Sequence, residues 1–290
     1  MSAPPRPGLV PRALAFVRFS HTLFALPFAL GALFVATRGW PGLRLLGLVV
    51  LAMVCARTAA MCFNRIADWD IDRRNPRTSG RHRLLSKPAA WALFTVSAVA
   101  FVFVSGMINR TCLWLSPVAL FLVCFYSLTK RFTHASHFFL GLALAASPAA
   151  AWIAATGHLG IPALPLALGV LVWVAGFDLI YAAQDAEFDR REGLHSMVVA
   201  LGTGPALRLA GVLHLGAFGC LATFGALARL GPAYWVALGG IAVALVVEHR
   251  IVARLDPARP DAGKIQNAFF VSNAVVGFLF LAGSIAAALR

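Results

Sequence analysis

Nine stretches of about 20 mostly apolar residues, the length a helix needs to cross a bilayer, divide this chain with little left between them. They run over residues 16–37, 43–66, 88–107, 111–129, 136–156, 162–184, 205–228, 232–250 and 267–289. The expected fold is therefore all-α: a polytopic membrane bundle of about nine transmembrane helices, forming one domain over residues 1–290. Composition agrees, since 60% of residues are hydrophobic and 12% are charged, against roughly 45–50% and 25% in soluble domains. Pro27, Pro117 and Pro148 fall inside spans, where neighbouring helices can satisfy the freed backbone groups. The basic N-terminus followed by an apolar run lacks a small-x-small cleavage site, so the first run is expected to remain as a span.

A net charge of +14 raises nucleic acid as a partner, but the basic residues sit in short loops between spans, as the positive-inside rule expects. With the N-terminus on one side, 19 of the 25 Lys and Arg residues share that side, five lie on the other, and Arg57 falls inside span 2. That side is expected to be cytoplasmic, which makes this a multi-pass protein of the cell (inner) membrane. All eleven acidic residues fall at or beyond the ends of spans on the same side. Any chemistry is expected at the cytoplasmic mouth, and nucleic acid is not an expected partner. The five cysteines form no CxxC pair and read as small apolar residues within helices.

The second span ends in Asn64-Arg65-Ile66-Ala67-Asp68-Trp69-Asp70-Ile71-Asp72. On a helix, Asn64, Asp68 and Asp72 are successive i, i+4 neighbours and project from one face. The sixth span ends in a second polar stripe, Asp178, Tyr181, Asp185 and Asp189, within an arc of roughly 80°. Carboxylates converging from two helices repel unless a cation lies between them. An oxygen-only donor set with no His or Cys pattern points to Mg²⁺, which keeps waters and binds through a few carboxylates plus substrate phosphates. Lys87, Lys130, Arg131, Arg190 and Arg191 at the same mouth suit a diphosphate. Arg57 lies seven residues before Asn64 on nearly the same face, where an unpaired cation costs about 2.5–3.5 kcal/mol. It either pairs with an aspartate such as Asp178 or takes a substrate carboxylate. His134, His137 and His195 read as structural groups at the interface.

These residues resemble the UbiA family of intramembrane aromatic prenyltransferases. Asn64-Arg65-x-x-Asp68-x-x-x-Asp72 is similar to that family's first Asp-rich motif, and Tyr181-x-x-x-Asp185-x-x-x-Asp189 to its second. Arg57, Arg77-Thr78 with Lys87-Pro88, and Tyr126-Ser127-Leu128-Thr129-Lys130-Arg131 add to the likeness, which covers nearly the whole chain. Arg65 stands where many members carry Asp, and Lys87 where Arg is common. The segments beginning at His21 and Asp185 look most like the 4-hydroxybenzoate polyprenyltransferase branch.

The resemblance implies a UbiA-type fold and a transferase of quinone biosynthesis, moving a polyprenyl group from its diphosphate to a small aromatic acid. The acid is expected to be 4-hydroxybenzoate, with 1,4-dihydroxy-6-naphthoate, a menaquinone precursor, as the alternative. It implies Mg²⁺ held by Asn64, Asp68, Asp72, Asp185 and Asp189, the four aspartates being catalytic. Lys130, Arg131, Lys87 and Arg77 are implied for the diphosphate, and Arg57, Tyr181 and Asp178 for the aromatic substrate. The lipid bilayer is the expected partner of the prenyl tail. A transporter or channel is a different class of reading, but no acidic residue reaches the far half of the bundle to line a path.

Overall fold

The computed structural model describes residues 8–17, 24–76, 78–254, 263 and 268–289. Every regular element among them is helical. In chain order these are α1 (Leu9–Phe16), α2 (Leu26–Thr37), α3 (Leu43–Ala67), α4 (Trp69–Arg74), α5 (Lys87–Ile108), α6 (Arg110–Thr129) and α7 (Ser136–Thr156). There follow α8 (Ala163–Ala182), α9 (Ala186–Arg191), α10 (Met197–Leu201), α11 (Thr203–Leu227), α12 (Pro232–Val252) and α13 (Asn273–Ala288). Among the described residues eight helices are long and apolar enough to cross a membrane, and α2 is a shorter apolar helix of 12 residues.

The first expected span, 16–37, is drawn differently. Phe16 ends a separate helix, α1, and packs with Val17 against Met61, Cys62 and Leu85. The apolar helix α2 starts at Leu26, where Pro27 presets a helical φ and has no N–H to leave unpaired. Residues 18–23 lie outside the described part. Of the last expected span, 267–289, Asn267 lies outside the described residues, and a π-turn, Ala268–Ser272, precedes α13.

Helix starts follow local chemistry. Ser86 Oγ accepts from the Ala89 amide at 3.4 Å to cap α5, and Asn109 Oδ1 accepts from the Cys112 amide at 2.8 Å to cap α6. Around the bundle α3 packs on α5, α5 on α6, α6 on α7, α7 on α8, α8 on α11, α11 on α12, and α12 on α13. The series returns through α2, which packs on both α13 and α7. Phe28, Trp173, Phe224, Tyr234 and Phe280 fill the core. The α7–α8 approach depends on Gly141, since a Cβ there would lie 2.3 Å from the Leu171 carbonyl oxygen. That approach sets His137, Leu140 and Leu144 beside Asp178 and Tyr181.

The outer surface is apolar. Phe103, Trp114, Phe121, Leu215 and Val236 are all more than half exposed. Contiguous apolar surface of this kind suits lipid and not water, and this is an integral membrane protein.

Candidate active site

The first polar stripe sits where a spanning helix breaks. The α3 helix ends at Ala67, Asp68 leaves helical geometry (φ −92°, ψ 14°), and α4 restarts at Trp69. The i, i+4 register survives the break, because the Asp68 amide donates to the Asn64 carbonyl at 2.9 Å and the Asp72 amide to the Asp68 carbonyl at 2.7 Å. Asn64, Asp68 and Asp72 therefore still face one way. The second stripe is built alike: α8 tightens into a 3₁₀ turn at Ala183–Asp185 and continues as α9.

Both stripes line one cavity of about 290 Å³. Asn64, Asp68 and Asp72 contribute from one wall, Asp178, Tyr181, Asp185 and Asp189 from another, and Arg57, Tyr126 and Lys130 from α3 and the α6 end. A smaller recess of about 170 Å³ adjoins it, sharing Asn64, Lys130, Asp178, Tyr181, Asp185 and Asp189 and adding His137 and His195.

The first-stripe carboxylates are each held by two cations. Lys130 Nζ lies 2.7 Å from Asp68 Oδ2, and Arg131 Nη2 lies 3.4 Å from Asp68 Oδ1. Arg81 Nη1 lies 2.9 and 3.2 Å from the two oxygens of Asp72, with Arg65 Nη1 at 3.6 Å. The Thr78 hydroxyl donates to the Asp72 carbonyl oxygen at 3.0 Å and holds the loop that carries Arg81. Across the mouth, Arg74 pairs with Glu192 at 2.7 Å and joins the loops that follow the two stripes.

Arg57 is resolved differently from these. Its Nε is buried without a hydrogen-bond partner, and among the described residues no carboxylate pairs with it. Asp178, one of the two partners expected for it, instead meets His137 Nδ1 at 2.7 Å. Among the described residues the Arg57 cation thus lines the cavity with no carboxylate counter-ion.

Four placements depart from expectation. Lys87 is the first residue of α5, exposed and outside the cavity lining, because the Ser86 cap and Pro88 start the helix there and aim its first turn at solvent. Arg77 lies outside the described residues. Arg81, not singled out in the sequence, takes up Asp72; nine residues away across an irregular loop, it has no periodic relation to the stripe. Glu248 lies one turn from the end of α12, fully buried, 3.6 Å from His214 Nδ1 and outside the lining of this cavity. His137, read as structural, proves to be the partner of a cavity carboxylate. Its only sequence signal is a lone polar residue at the start of an apolar helix.

Among the described residues, no set of three or more His, Cys, Asp or Glu side chains is arranged to hold a metal ion by itself. What the cavity offers is oxygen donors from two walls with cations between them. That suits a hard divalent ion that keeps waters and completes its shell with substrate phosphate oxygens. The donor set fits Mg²⁺ bound together with a diphosphate, and does not form a closed protein cage.

Known proteins resemble the chain throughout. A family model described as the UbiA prenyltransferase family matches residues 25–274. A 4-hydroxybenzoate solanesyltransferase from Synechocystis sp. is 29% identical over 260 residues, 88% of this chain and 87% of that protein. The apo structure of a UbiA homolog from Aeropyrum pernix K1 superposes with a TM-score of 0.80 at 30% identity, covering 92% of this chain and 97% of that one. A UbiA homolog from Archaeoglobus fulgidus, solved with GPP and Mg²⁺, shares the fold with a TM-score of 0.77 at 20% identity, over 96% of this chain and 99% of that one.

Proposed function

Because the chain belongs to the UbiA prenyltransferase family, we propose that it transfers a polyprenyl group from a polyprenyl diphosphate to a small aromatic acid, 4-hydroxybenzoate first among candidates. The observation that carries this reading is the shared cavity, with carboxylates of two stripes, the cations Lys130 and Arg81, and the unpaired Arg57. The relative named a 4-hydroxybenzoate solanesyltransferase supports the acceptor. The homolog solved with GPP and Mg²⁺ supports the donor and the ion.

In the reaction the allylic C–O bond breaks with its electron pair leaving on the diphosphate. A ring carbon beside the phenol hydroxyl then bonds to the allylic carbon, and its proton passes to the released diphosphate as the ring regains aromaticity. Mg²⁺, held by Asn64, Asp68, Asp72, Asp185 and Asp189, would supply positive charge to the diphosphate oxygens. Lys130, Arg131 and Arg81 sit on Asp68 and Asp72. An arriving diphosphate gives these cations new anionic partners and frees both carboxylates. Arg57 takes the acid's carboxylate in a charge-assisted pair, and Tyr181 with Asp178, steadied by His137, borders the ring. The enclosing helices keep out water that would quench the allylic cation.

The mouth faces the cytoplasm of the cell (inner) membrane, on the argument of basic-residue placement. A cysteine replacing exposed Gly80 should react with an impermeant maleimide only from that side. The direct test incubates purified protein with a labelled polyprenyl diphosphate, Mg²⁺ and either 4-hydroxybenzoate or 1,4-dihydroxy-6-naphthoate. Product with hydroxybenzoate alone is expected. Product with the naphthoate alone moves the enzyme to the menaquinone route, and product with neither overturns the reading.

A further inference from the structure

Apart from the polar cavity, the bundle holds an apolar hollow of about 210 Å³ between α3, α5, α6 and α7. Its three serines are bonded to their own helices: Ser105 donates to the Phe101 carbonyl, Ser116 to Leu113 and Ser147 to Leu144, each at 2.8 Å. A groove between α11 and α12 is built otherwise. It measures about 590 Å³ and is walled by Leu215, Phe218, Ala242 and Val246, yet it also takes in His214, His249 and Arg250. Leu215 and Val246 are 73% and 51% exposed, so the groove opens onto lipid. Ionisable groups within spanning helices are costly and point to function by default. The prenyl-transfer chemistry uses none of these three.

The two imidazoles form a relay. His214 Nε2 lies 3.2 Å from the Trp173 carbonyl oxygen, which can only accept, so this nitrogen carries a hydrogen. His214 Nδ1 lies 2.9 Å from His249 Nε2. In a pair of neutral rings His214 Nδ1 is then the acceptor and His249 Nε2 the donor, which leaves a lone pair on His249 Nδ1. That nitrogen has no hydrogen-bond partner among the described residues. It lies against Gly211 of α11, where a Cβ would stand 3.9 Å from it. On the next residue Arg250 is exposed, lines the groove and has no ion pair among the described residues. Glu248 Oε2, 3.6 Å from His214 Nδ1, is beyond hydrogen-bond range and outside the groove lining.

The groove thus presents apolar walls, a hydrogen-bonding nitrogen and a cation beside it. A ligand that answers all three carries a hydrocarbon chain, a hydroxyl and an anionic group. A phosphodiester lipid answers the first and the last, but its phosphate brings no hydroxyl hydrogen to His249. We propose that the groove binds the product of the reaction above, a prenylated phenol bearing a carboxylate. Its chain lies along Leu215, Phe218 and Val246, its hydroxyl donates to His249 Nδ1, and its carboxylate pairs with Arg250. The inference rests on the prenyl-transfer reading and makes the groove a site where product acts back on the enzyme. The link runs through His214. A Cβ on Gly176 of α8 would lie 2.5 Å from His214 Cδ2, so the ring is wedged against the turn that leads to Asp178. The ring of Trp173, whose carbonyl holds His214, packs on Phe177 at 4.9 Å, and Phe177 lines the cavity. Product held at His249 therefore bears on the helix of the second stripe without entering the cavity.

The test uses 3-geranyl-4-hydroxybenzoate as the probe, on purified protein in phosphatidylcholine nanodiscs. The cavity is first filled with Mg²⁺, a non-reacting geranyl thiodiphosphate and 4-hydroxybenzoate. One equivalent of probe is still expected to bind. The methyl ether of the probe, measured on the wild-type protein, should bind about tenfold or more weakly, the worth of the hydrogen bond to His249. Gly211→Leu, which fills the space beside His249, should weaken the probe itself by a similar factor. In turnover the probe should lower kcat as well as raise KM for 4-hydroxybenzoate, and in Gly211→Leu the effect on kcat should vanish. No binding once the cavity is filled, or equal binding of probe and methyl ether, overturns the proposal. Displacement of the probe by phosphatidylglycerol overturns it too, in favour of a general site for anionic lipid. The binding arms need no turnover, so an empty groove and an absence of prenyl transfer report separately.

Discussion

Two hollows share three helices in this protein and differ in nearly every other respect. The outer one is lined by aspartates, arginines and a lysine; the inner one has no charge and spends its hydroxyls on backbone carbonyls. The difference follows from depth. Ionised groups are tolerable where helices end near water and costly in mid-bilayer. The chain accordingly breaks α3 at Asp68 and tightens α8 at Ala183–Asp185 where its carboxylates gather. Arg57 sits at the border, and among the described residues it has no carboxylate partner. The outer hollow thus gathers charge at one end of the bundle, and the inner one is apolar.

The contrast is broken most severely by removing the charge. Asp68→Ala or Asp185→Ala should lower kcat by about 10²–10³-fold or more, the scale of losing one preorganised electrostatic contact at a reacting centre. Measured at saturating Mg²⁺ in protein that still inserts, near-normal turnover in either variant would remove the carboxylates from the mechanism.

A subtler prediction concerns the ions on Asp68 and Asp72. Because Lys130, Arg131 and Arg81 occupy these carboxylates, Mg²⁺ should bind weakly alone and about tenfold or more tighter with inorganic pyrophosphate, a coupling of roughly 1.4 kcal/mol or more. Lys130→Gln should strengthen metal binding without pyrophosphate while shrinking the coupling. Calorimetry that finds equal metal affinity with and without pyrophosphate would end this account of the ion pairs.

At the border, Arg57→Ala should raise KM for the aromatic acid roughly 10–100-fold, the worth of one charge-assisted hydrogen-bonded contact. The KM for the diphosphate should stay within twofold. A shift confined to the diphosphate would turn the assignment around. The smallest effect is expected at Lys87, exposed and outside the lining: Lys87→Ala should change kcat/KM for the diphosphate less than twofold, whereas Arg81→Ala should reduce it about tenfold or more through its contact with Asp72. Equal losses in the two variants would mean that the loop closes differently with substrate bound.

Much of this was legible along the chain because it depends on periodicity. Asn64, Asp68 and Asp72 recur every four residues, and Tyr181, Asp185 and Asp189 do the same, so each face could be read before any fold was known. The break at Asp68 left that reading intact because the i, i+4 hydrogen bonds run through it. Arg81 was not legible, since the turns between Asp72 and Arg81 follow no repeat. Lys87 misled for the complementary reason: it is close in sequence to the motif, but a helix cap points it away. The short α2 was hidden within the apolar run 16–37, whose hydropathy does not mark that a helix starts at Leu26 beside Pro27.

The pairings of Arg57 and Asp178 were beyond reach in principle, because both alternatives satisfied the same charges. Only the close approach of α7 to α8 across Gly141 sets His137 against Asp178 and leaves Arg57 to the cavity. From residue order alone came the class of protein, the number of apolar helices to within their ends, the two carboxylate faces and their gathering at one end of the bundle. These are properties of single helices and of the cost of charge in lipid. Tertiary structure decided which cation sits on which carboxylate, and that an apolar chamber opens beneath the polar one. Both arise where side chains from separate helices meet, and no one-dimensional period specifies that meeting.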